Sequence, residues 1–312
     1  MNTSISTIQL PGTVNLFINS RCNFHCKHCY ATFQDLPGAK LPALAEAEAK
    51  AIIQLIADEP LPESIIARKI TFVGGEPTLC PFLPELVAYA KSLGLVTAVI
   101  TNGLTVTPRY LEQFVDVLDW VGLSIDGLDL TMNRNIGRAT IGGRYLDQAS
   151  YLDRVGWIRA IGAQLKINTV VSRLNFRADF TDFILAAKPI RWKLLQVTPV
   201  QGQNDQTIKL LDIDRTSFEQ FAARHNSLID SGIIVVAEPV ETIRGSYAMI
   251  SPDGRFFDSS TGQHNYSRRI QEVGLMNAFS EVTFDEAKYD GRDGNYDPFT
   301  GSRKTQNLEL AA

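Results

Sequence analysis

The chain has 312 residues, 45% hydrophobic and 21% charged, enough apolar material for a full core, so disordered and fibrous classes are excluded. Thirty basic residues against 34 acidic ones leave a net charge of −4, which excludes a general electrostatic pull toward nucleic acid or an anionic membrane. No uncharged apolar run approaches the ~18 residues of a membrane span, and Met1 to Thr13 lacks the basic start and apolar stretch of a signal peptide, so a cytoplasmic protein with no nucleic-acid or membrane partner is expected.

From the N-terminus, short β-rich runs alternate with amphipathic stretches, as in successive βα units on a parallel sheet. Strands are expected at Thr13 to Ile18, Lys69 to Val73, Val96 to Thr101, Trp120 to Ile125, Leu165 to Val171 and Arg191 to Val197. Helices are expected near Glu46 to Asp58, Phe82 to Leu93, Pro108 to Leu118, Arg144 to Ile161, Ala178 to Lys188 and Asp214 to Asp230. In the first helix Ile52, Ile53, Leu55 and Ile56 form the buried stripe. Past Gly232 the pattern changes. Ile233 to Ala237 and Ser246 to Ile250 read as strands, and Pro252-Asp253-Gly254 reads as a turn into Arg255 to Phe257, so an antiparallel end to the sheet is expected. From Asp285 the chain is polar and rich in Gly and Asp, which suits a flexible tail or a flap that orders on a ligand. The resulting division is an N-terminal segment (1–12), a barrel-like domain (13–230) and a C-terminal extension (231–312) with a lid and tail.

Three of the four cysteines, Cys22, Cys26 and Cys29, share one loop after the first strand, a thiolate set that selects zinc or an iron–sulfur cluster. A Cys3His zinc site using His25 or His28 is the alternative to a four-iron cube with one iron left open. Cys80 reads as a packed thiol. The second strand runs into Gly74-Gly75-Glu76-Pro77, where glycines allow close backbone approach and Glu76 can accept from an ammonium group. The Cys-x3-Cys-x2-Cys-x-aromatic loop and this Gly-Gly-Glu-Pro run together resemble the radical S-adenosylmethionine (SAM) superfamily. The resemblance implies a partial (β/α)6 TIM-type barrel, a [4Fe-4S] cluster on the three cysteines, and SAM held by Gly74, Gly75, Glu76, Asn102 and Ser124.

The second half carries runs that resemble the viperin family: Asn135-Ile136-Gly137-Arg138, Leu165 to Asn175, Pro189 to Lys193, Ser246-Tyr247 and Phe284-Asp285-Glu286 with Tyr296. That resemblance implies conversion of a ribonucleoside triphosphate (CTP first, with UTP or GTP as other bases) to its 3′-deoxy-3′,4′-didehydro analogue in antiviral defence. The implied chemistry is 4′-hydrogen abstraction by a 5′-deoxyadenosyl radical, loss of the 3′-hydroxyl as water, and one further electron from a donor such as flavodoxin or ferredoxin. The residues suit an anion of that size. Lys166 and Asn168 share one strand face, Arg191 and Lys193 repeat the arrangement on the next strand, and Lys69 and Arg138 approach from other strand ends. Trp192 faces the other way, into the core. Tyr247 is the candidate catalytic side chain near the ribose. In the C-terminal segment Lys288 or Arg292 could reach a phosphate and Tyr296 could close over the cavity. Phe17 stands where animal viperins have histidine, which leaves the preferred base open. The alternative enzyme is a radical SAM protein acting on another anionic small molecule.

Overall fold

The computed structural model describes residues 9–36 and 41–302. Ten strands form one sheet: β1 (Thr13–Phe17), β2 (Lys69–Val73), β3 (Val96–Thr101), β4 (Trp120–Ser124), β5 (Gln164–Val171), β6 (Arg191–Gln196), β7 (Ile234–Glu238), β8 (Ala248–Ile250), β9 (Arg255–Asp258) and β10 (Asn265–Arg269). Their order is β10-β9-β8-β1-β2-β3-β4-β5-β6-β7. Pairing is parallel from β8 through β7 and antiparallel only at β8/β9 and β9/β10. The antiparallel end is therefore shorter than expected. β7 follows a helical crossover that returns the chain to the starting edge of the sheet, so it joins β6 in parallel, and β8 joins β1 in the same sense.

Residues 239–247 carry the chain from β7 to β8, from one end of the parallel array to the other. Laid flat at the usual strand spacing, those two strands would lie about 34 Å apart. Fully extended, the link's ten Cα steps would just span that distance at about 33–36 Å, but the link contains the helix Val240–Ile243 and reaches much less. The sheet must therefore curl into an open barrel, and the strands stay unclosed between β7 and β10.

Helices pack on the outer face. Ile52, Ile53 and Ile56 are buried in the main core, while Leu55, expected beside them, is 39% exposed. Two helices are shorter than their periodicity suggests: Asp147, accepting from Ser150 N, begins one late (Gln148–Ala160), and the other, capped by Asp214 through Ser217 N, ends early (Arg215–Arg224) where the chain passes into the 3-10 turn Asn226–Ser231. The helix Leu130–Ile136, begun by Asp129, has no counterpart in the sequence reading. Trp192 is fully buried, as expected, against Phe180, Phe221 and His225, and its indole N–H donates to Thr169 Oγ1 at 2.9 Å. Among the described residues no helix is long and apolar enough to cross a membrane.

The C-terminal segment packs into the end of the barrel at the strands' N-termini. After the helix Glu286–Gly291, the Trp120 indole donates to Pro298 O at 2.7 Å and Arg191 donates to Gly301 O at 2.6 Å. Tyr289 and Tyr296 are buried, which accounts for the order of a segment whose composition is polar.

His225 backs β6 from the core side. Its Nε2 accepts from Phe180 N, so Nδ1 carries the proton and donates to Phe221 O at 2.8 Å. Burial holds its pKa below 6.5. The unfolded chain takes up this proton near pH 6.5 while the native chain refuses it, so this contribution to stability is complete above pH 6.5 and declines as pH falls toward the lower native value. We expect the unfolding free energy of the wild type, read by urea titration, to drop between pH 7.5 and 5.5 by up to about 1.4 kcal/mol per pH unit more than that of His225→Gln. Parallel pH profiles for the two proteins would refute the assignment.

Candidate functional site

The alternate residues of the strands that face inward line one cavity of about 530 Å3. Along each strand they change character from start to end: Thr13-Asn15-Phe17 on β1, Lys69-Thr71-Val73 on β2, Lys166-Asn168-Val170 on β5, Lys193-Leu195 on β6. Cationic and polar groups therefore occupy the floor, and an apolar band that includes Ile100 separates them from the loops at the strands' C-terminal ends.

The cysteine loop covers that upper end, with Cys22, Cys26 and Cys29 all on the cavity wall. Backbone bonds fix it: His25 N donates to Gly137 O at 3.2 Å and Lys27 N to Ile136 O at 2.9 Å. Gly137 has φ +87°, and a Cβ there would lie 2.3 Å from His25 O, so only glycine allows the contact. Arg138 follows directly. It donates to Asp126 Oδ2 at 2.8 Å and to Ser124 O at 2.5 Å, with Cys26 Sγ at 3.9 Å. Arg138 thus sits with the cysteines, apart from the floor cations with which it was grouped.

Burial pushes the Cys22 thiol up to about 11 and raises Cys26 and Cys29 as well, while Arg138 pulls Cys22 and Cys26 back down. As bare thiols they stay protonated at neutral pH, and bound iron supplies the positive charge that makes thiolates. The three sulfurs on one wall suit a polynuclear group. His28, one of the two histidines a Cys3His site would use, lies 3.4 Å from Asp126 Oδ2. Cys80 is buried in the main core, as expected.

The Gly-Gly-Glu-Pro run lies beside the loop. A Cβ on Gly75 would meet the Ser20 and Arg21 carbonyl oxygens at 2.4 Å, and one on Gly74 would meet Asn19 O at 2.6 Å, so the glycines serve the crossing of two backbones. Glu76, expected to accept from an ammonium group, has its carboxylate filled: Thr78 N, Thr78 Oγ1 and Thr101 Oγ1 donate to Oε1, and Asn102 N donates to Oε2 at 2.8 Å. Its side chain therefore braces the β2 and β3 ends, chiefly through Oε1, while Oε2 accepts one bond and keeps a further acceptor site. Asn102 and Ser124 line the cavity near Cys22 and Arg138, the Asn102 amide donating to Asn23 Oδ1 at 2.7 Å.

On the floor, Lys69, Lys166, Asn168, Lys193 and Arg292 converge. Gly122 on β4 makes room, since a Cβ there would lie 3.4 Å from Lys166 Cε and 3.5 Å from Asn168 Nδ2. Arg191 does not face the cavity. It is fully buried behind Tyr296, paired with Asp293 at 2.5 Å, because it opens β6 at the level where the C-terminal segment crosses. Tyr296 stands between, its ring 4.0 Å from Lys69 Nζ and 4.1 Å from Arg191 Cζ, and Lys69 donates to its hydroxyl. Lys288 points elsewhere, donating to Arg244 O at 3.3 Å.

Two acids were missed. Glu238, the last residue of β7, is fully buried and accepts from Lys193 and, at 2.5 Å, from Tyr247 Oη, with Arg292 at 3.6 Å. Asp126 accepts from Val170 N and Arg138 and lies against His28. Arg292 is itself set by Ser246, through Oγ at 2.8 Å and the carbonyl at 2.7 Å, and stacks 3.6 Å from the Tyr247 ring. Burial and mutual repulsion hold the pKa values of Lys69 and Lys166 well below the ordinary lysine value, and that of Lys193 at about 8. Such a site is short of negative charge.

Gly75→Ala should cost about 1–3 kcal/mol in stability, since backbone must move to admit the methyl group. The same displacement should lower iron and acid-labile sulfide per chain after anaerobic reconstitution. Wild-type stability with wild-type loading would show that the backbone crossing is not what seats the cysteine loop.

Residues 16–184 match the Radical SAM superfamily. The S-adenosylmethionine-dependent nucleotide dehydratase of Flammeovirga pacifica is 37% identical over 95% of this chain and 99% of its own length. The protein of the same name from Lacinutrix mariniflava is 40% identical over 95% of this chain, which spans 60% of that relative. The Danio rerio relative is 30% identical over 92% of this chain and 78% of its own length. Among solved structures, Streptococcus suis SuiB bound to S-adenosylmethionine superposes with a TM-score of 0.67 at 16% identity, covering 91% of this chain and 68% of SuiB, a likeness of fold. The chain belongs to the radical SAM superfamily, whose members use a [4Fe-4S] cluster and SAM, and within it to the SAM-dependent nucleotide dehydratases.

Proposed function

We propose that the chain dehydrates a ribonucleoside triphosphate, CTP first with UTP and GTP as the other candidates, to the 3′-deoxy-3′,4′-didehydro nucleotide, as a cytoplasmic enzyme of antiviral defence. The observation that carries this reading is one cavity with three thiols at one end and an anion-deficient set of Lys69, Lys166, Lys193 and Arg292 at the other. Cys22, Cys26 and Cys29 hold the cluster, and the backbone of Gly74 to Glu76 together with Asn102, Ser124 and Arg138 holds SAM. When bound, that pair supplies a 5′-deoxyadenosyl radical after one-electron reduction.

The chain's own residues do the rest. Lysines give point charges and Arg292 a forked donor to the phosphates, which anchors the triphosphate on the floor and leaves the ribose at the level of the apolar band. That band excludes water from the reacting carbons. Burial keeps the Tyr247 phenol protonated, and its O–H donates to Glu238, so its proton reaches a substrate at the ribose level only by leaving that bond. Dehydration removes one hydrogen and one hydroxyl from the sugar, and the leaving hydroxyl needs a proton from such a buried donor. The C-terminal segment closes the floor, carrying Arg292 and Tyr296 to the phosphates.

Assaying the four ribonucleoside triphosphates with SAM and dithionite for 5′-deoxyadenosine and the dehydrated nucleotide tests the reading. Failure of all four would sink it, as would undiminished cleavage by Cys26→Ala.

Lys166→Ala should weaken triphosphate binding by about 1.5–3 kcal/mol while SAM binding survives. Lys193 is a cation below its pKa of about 8, so nucleotide affinity should fall as pH rises through that value. Glu238 holds the Lys193 charge up, and Glu238→Gln should therefore move the fall to lower pH. Calorimetric titrations from pH 6.5 to 9.5 read both effects, and an unmoved midpoint in Glu238→Gln would refute the coupling.

A further inference from the structure

The acids of the cavity are placed apart from its bases. Among the described residues only two carboxylates reach the cavity wall, Glu76 and Asp126, and both stand just past the C-terminal ends of β2 and β4, beside the cysteine loop. Glu76 accepts from Thr78, Thr101 and Asn102, and Asp126 accepts from Val170 N at 2.7 Å and from Arg138 at 2.8 Å. At the other end the wall carries Lys69, Lys166, Lys193 and Arg292. The acids of that end lie behind the wall: Glu238 accepts from Lys193 and Tyr247, and Asp293 pairs with Arg191 on the far side of Tyr296. Among the described residues nothing forms a hydrogen bond or ion pair with Lys166.

That separation bears on the form in which a polyphosphate is taken. Sites that accept a triphosphate as its magnesium complex hold the metal through one or two carboxylates beside the phosphates. Here the floor offers the neutral oxygens of Thr13, Thr71 and Asn168 in place of acids. Asn168 stands in register with Lys193 and Ser124, is 8% exposed, and has an Oδ1 without a hydrogen-bond partner. An aspartate would have nearly the same shape and would supply a metal ligand, whereas the amide also donates to a phosphate. Electrostatics agree. Four cations with only Glu238 behind them suit the full charge of a free triphosphate and exceed that of its magnesium complex. Burial and mutual repulsion already hold the pKa values of Lys69 and Lys166 down, and a divalent ion among them would add to the repulsion. The forked guanidinium of Arg292 can bridge neighbouring phosphate oxygens, as a metal otherwise would.

We propose that the floor binds the triphosphate as its metal-free anion, with the lysines and Arg292 in the place of a divalent cation, so that magnesium competes with the protein for its substrate. The inference rests on the reading of the floor as the phosphate site and adds the chemical form of the ligand. Occupancy then follows the concentration of uncomplexed nucleotide, not that of total nucleotide.

The test uses the full chain with its cluster reconstituted and SAM bound. The four ribonucleoside triphosphates, and inorganic tripolyphosphate as a probe without a base, are titrated calorimetrically in EDTA and then in rising magnesium chloride at constant ionic strength. Magnesium in excess over the ligand should raise the apparent Kd at least about tenfold, and the values should coincide once plotted against the uncomplexed anion. The exchange-inert tetraammine cobalt(III) complex of the same nucleotide should bind at least about tenfold more weakly than the free anion. Asn168→Asp should invert the response, binding more weakly than wild type in EDTA and more tightly as magnesium is added. The wild-type titrations decide the matter if that variant folds poorly. Tighter wild-type binding in magnesium than in EDTA, or equal binding of the cobalt complex and the free anion, would overturn the proposal. Tripolyphosphate bound in EDTA and released by magnesium, with no nucleotide bound in either condition, would uphold the proposal and sink the nucleotide reading. No binding of any of these ligands in either condition would overturn the phosphate floor and this inference with it.

Discussion

Four cations share one cavity floor with a single buried carboxylate. Like charges at this range repel, burial penalises each of them, and Glu238 offsets only part of the sum. Native proteins carry such an imbalance where a ligand completes it. Much of the architecture reads as what it takes to hold the imbalance in place. Gly122 clears the space, β5 and β6 run in register so that Asn168 stands beside Lys193, and Ser246 ties Arg292 down through two hydrogen bonds. Tyr296 and Tyr247 offer ring faces to the charges, which lowers the cost of desolvating them.

The open barrel and the C-terminal segment depend on each other. A parallel sheet whose ends are bridged by one short link leaves backbone and side chains uncovered at the strands' N-termini, where the indole of Trp120 and the guanidinium of Arg191 each need a partner. Pro298 O and Gly301 O provide them. The segment that brings Arg292 and Tyr296 to the cavity is also what satisfies the polar atoms of the barrel floor, so its docking has a structural reason before any ligand arrives.

Most strands were legible to within a residue or two, because alternation and apolar runs mark them directly. Direction was not, since whether β7 runs parallel or antiparallel is decided by the crossover before it. Lys166, Asn168 and Lys193 were legible from spacing, because period-two alternation fixes their common face, whereas the cysteine loop and the glycine pair were picked out by family resemblance. Arg191 obeys the same alternation and still leaves the cavity, since its partners lie a hundred residues later in the floor segment, a distance no local pattern reports. Glu238 escaped because the strand was expected to stop at Ala237, one residue short of it. Glu76 carries a second duty that its glycine-rich turn does not announce: only the folded positions of Thr78, Thr101 and Asn102 show that its carboxylate also braces the β2 and β3 ends.

The cysteine loop is attached to Gly137 and Ile136 through main-chain atoms alone. Sequence drift at His25 and Lys27 therefore leaves the thiols where they are, whereas position 137 tolerates nothing larger than hydrogen. The outward side chains can in this way be exchanged without disturbing the arrangement of the thiols beneath. The outside and the inside of the same loop are free to evolve at different rates.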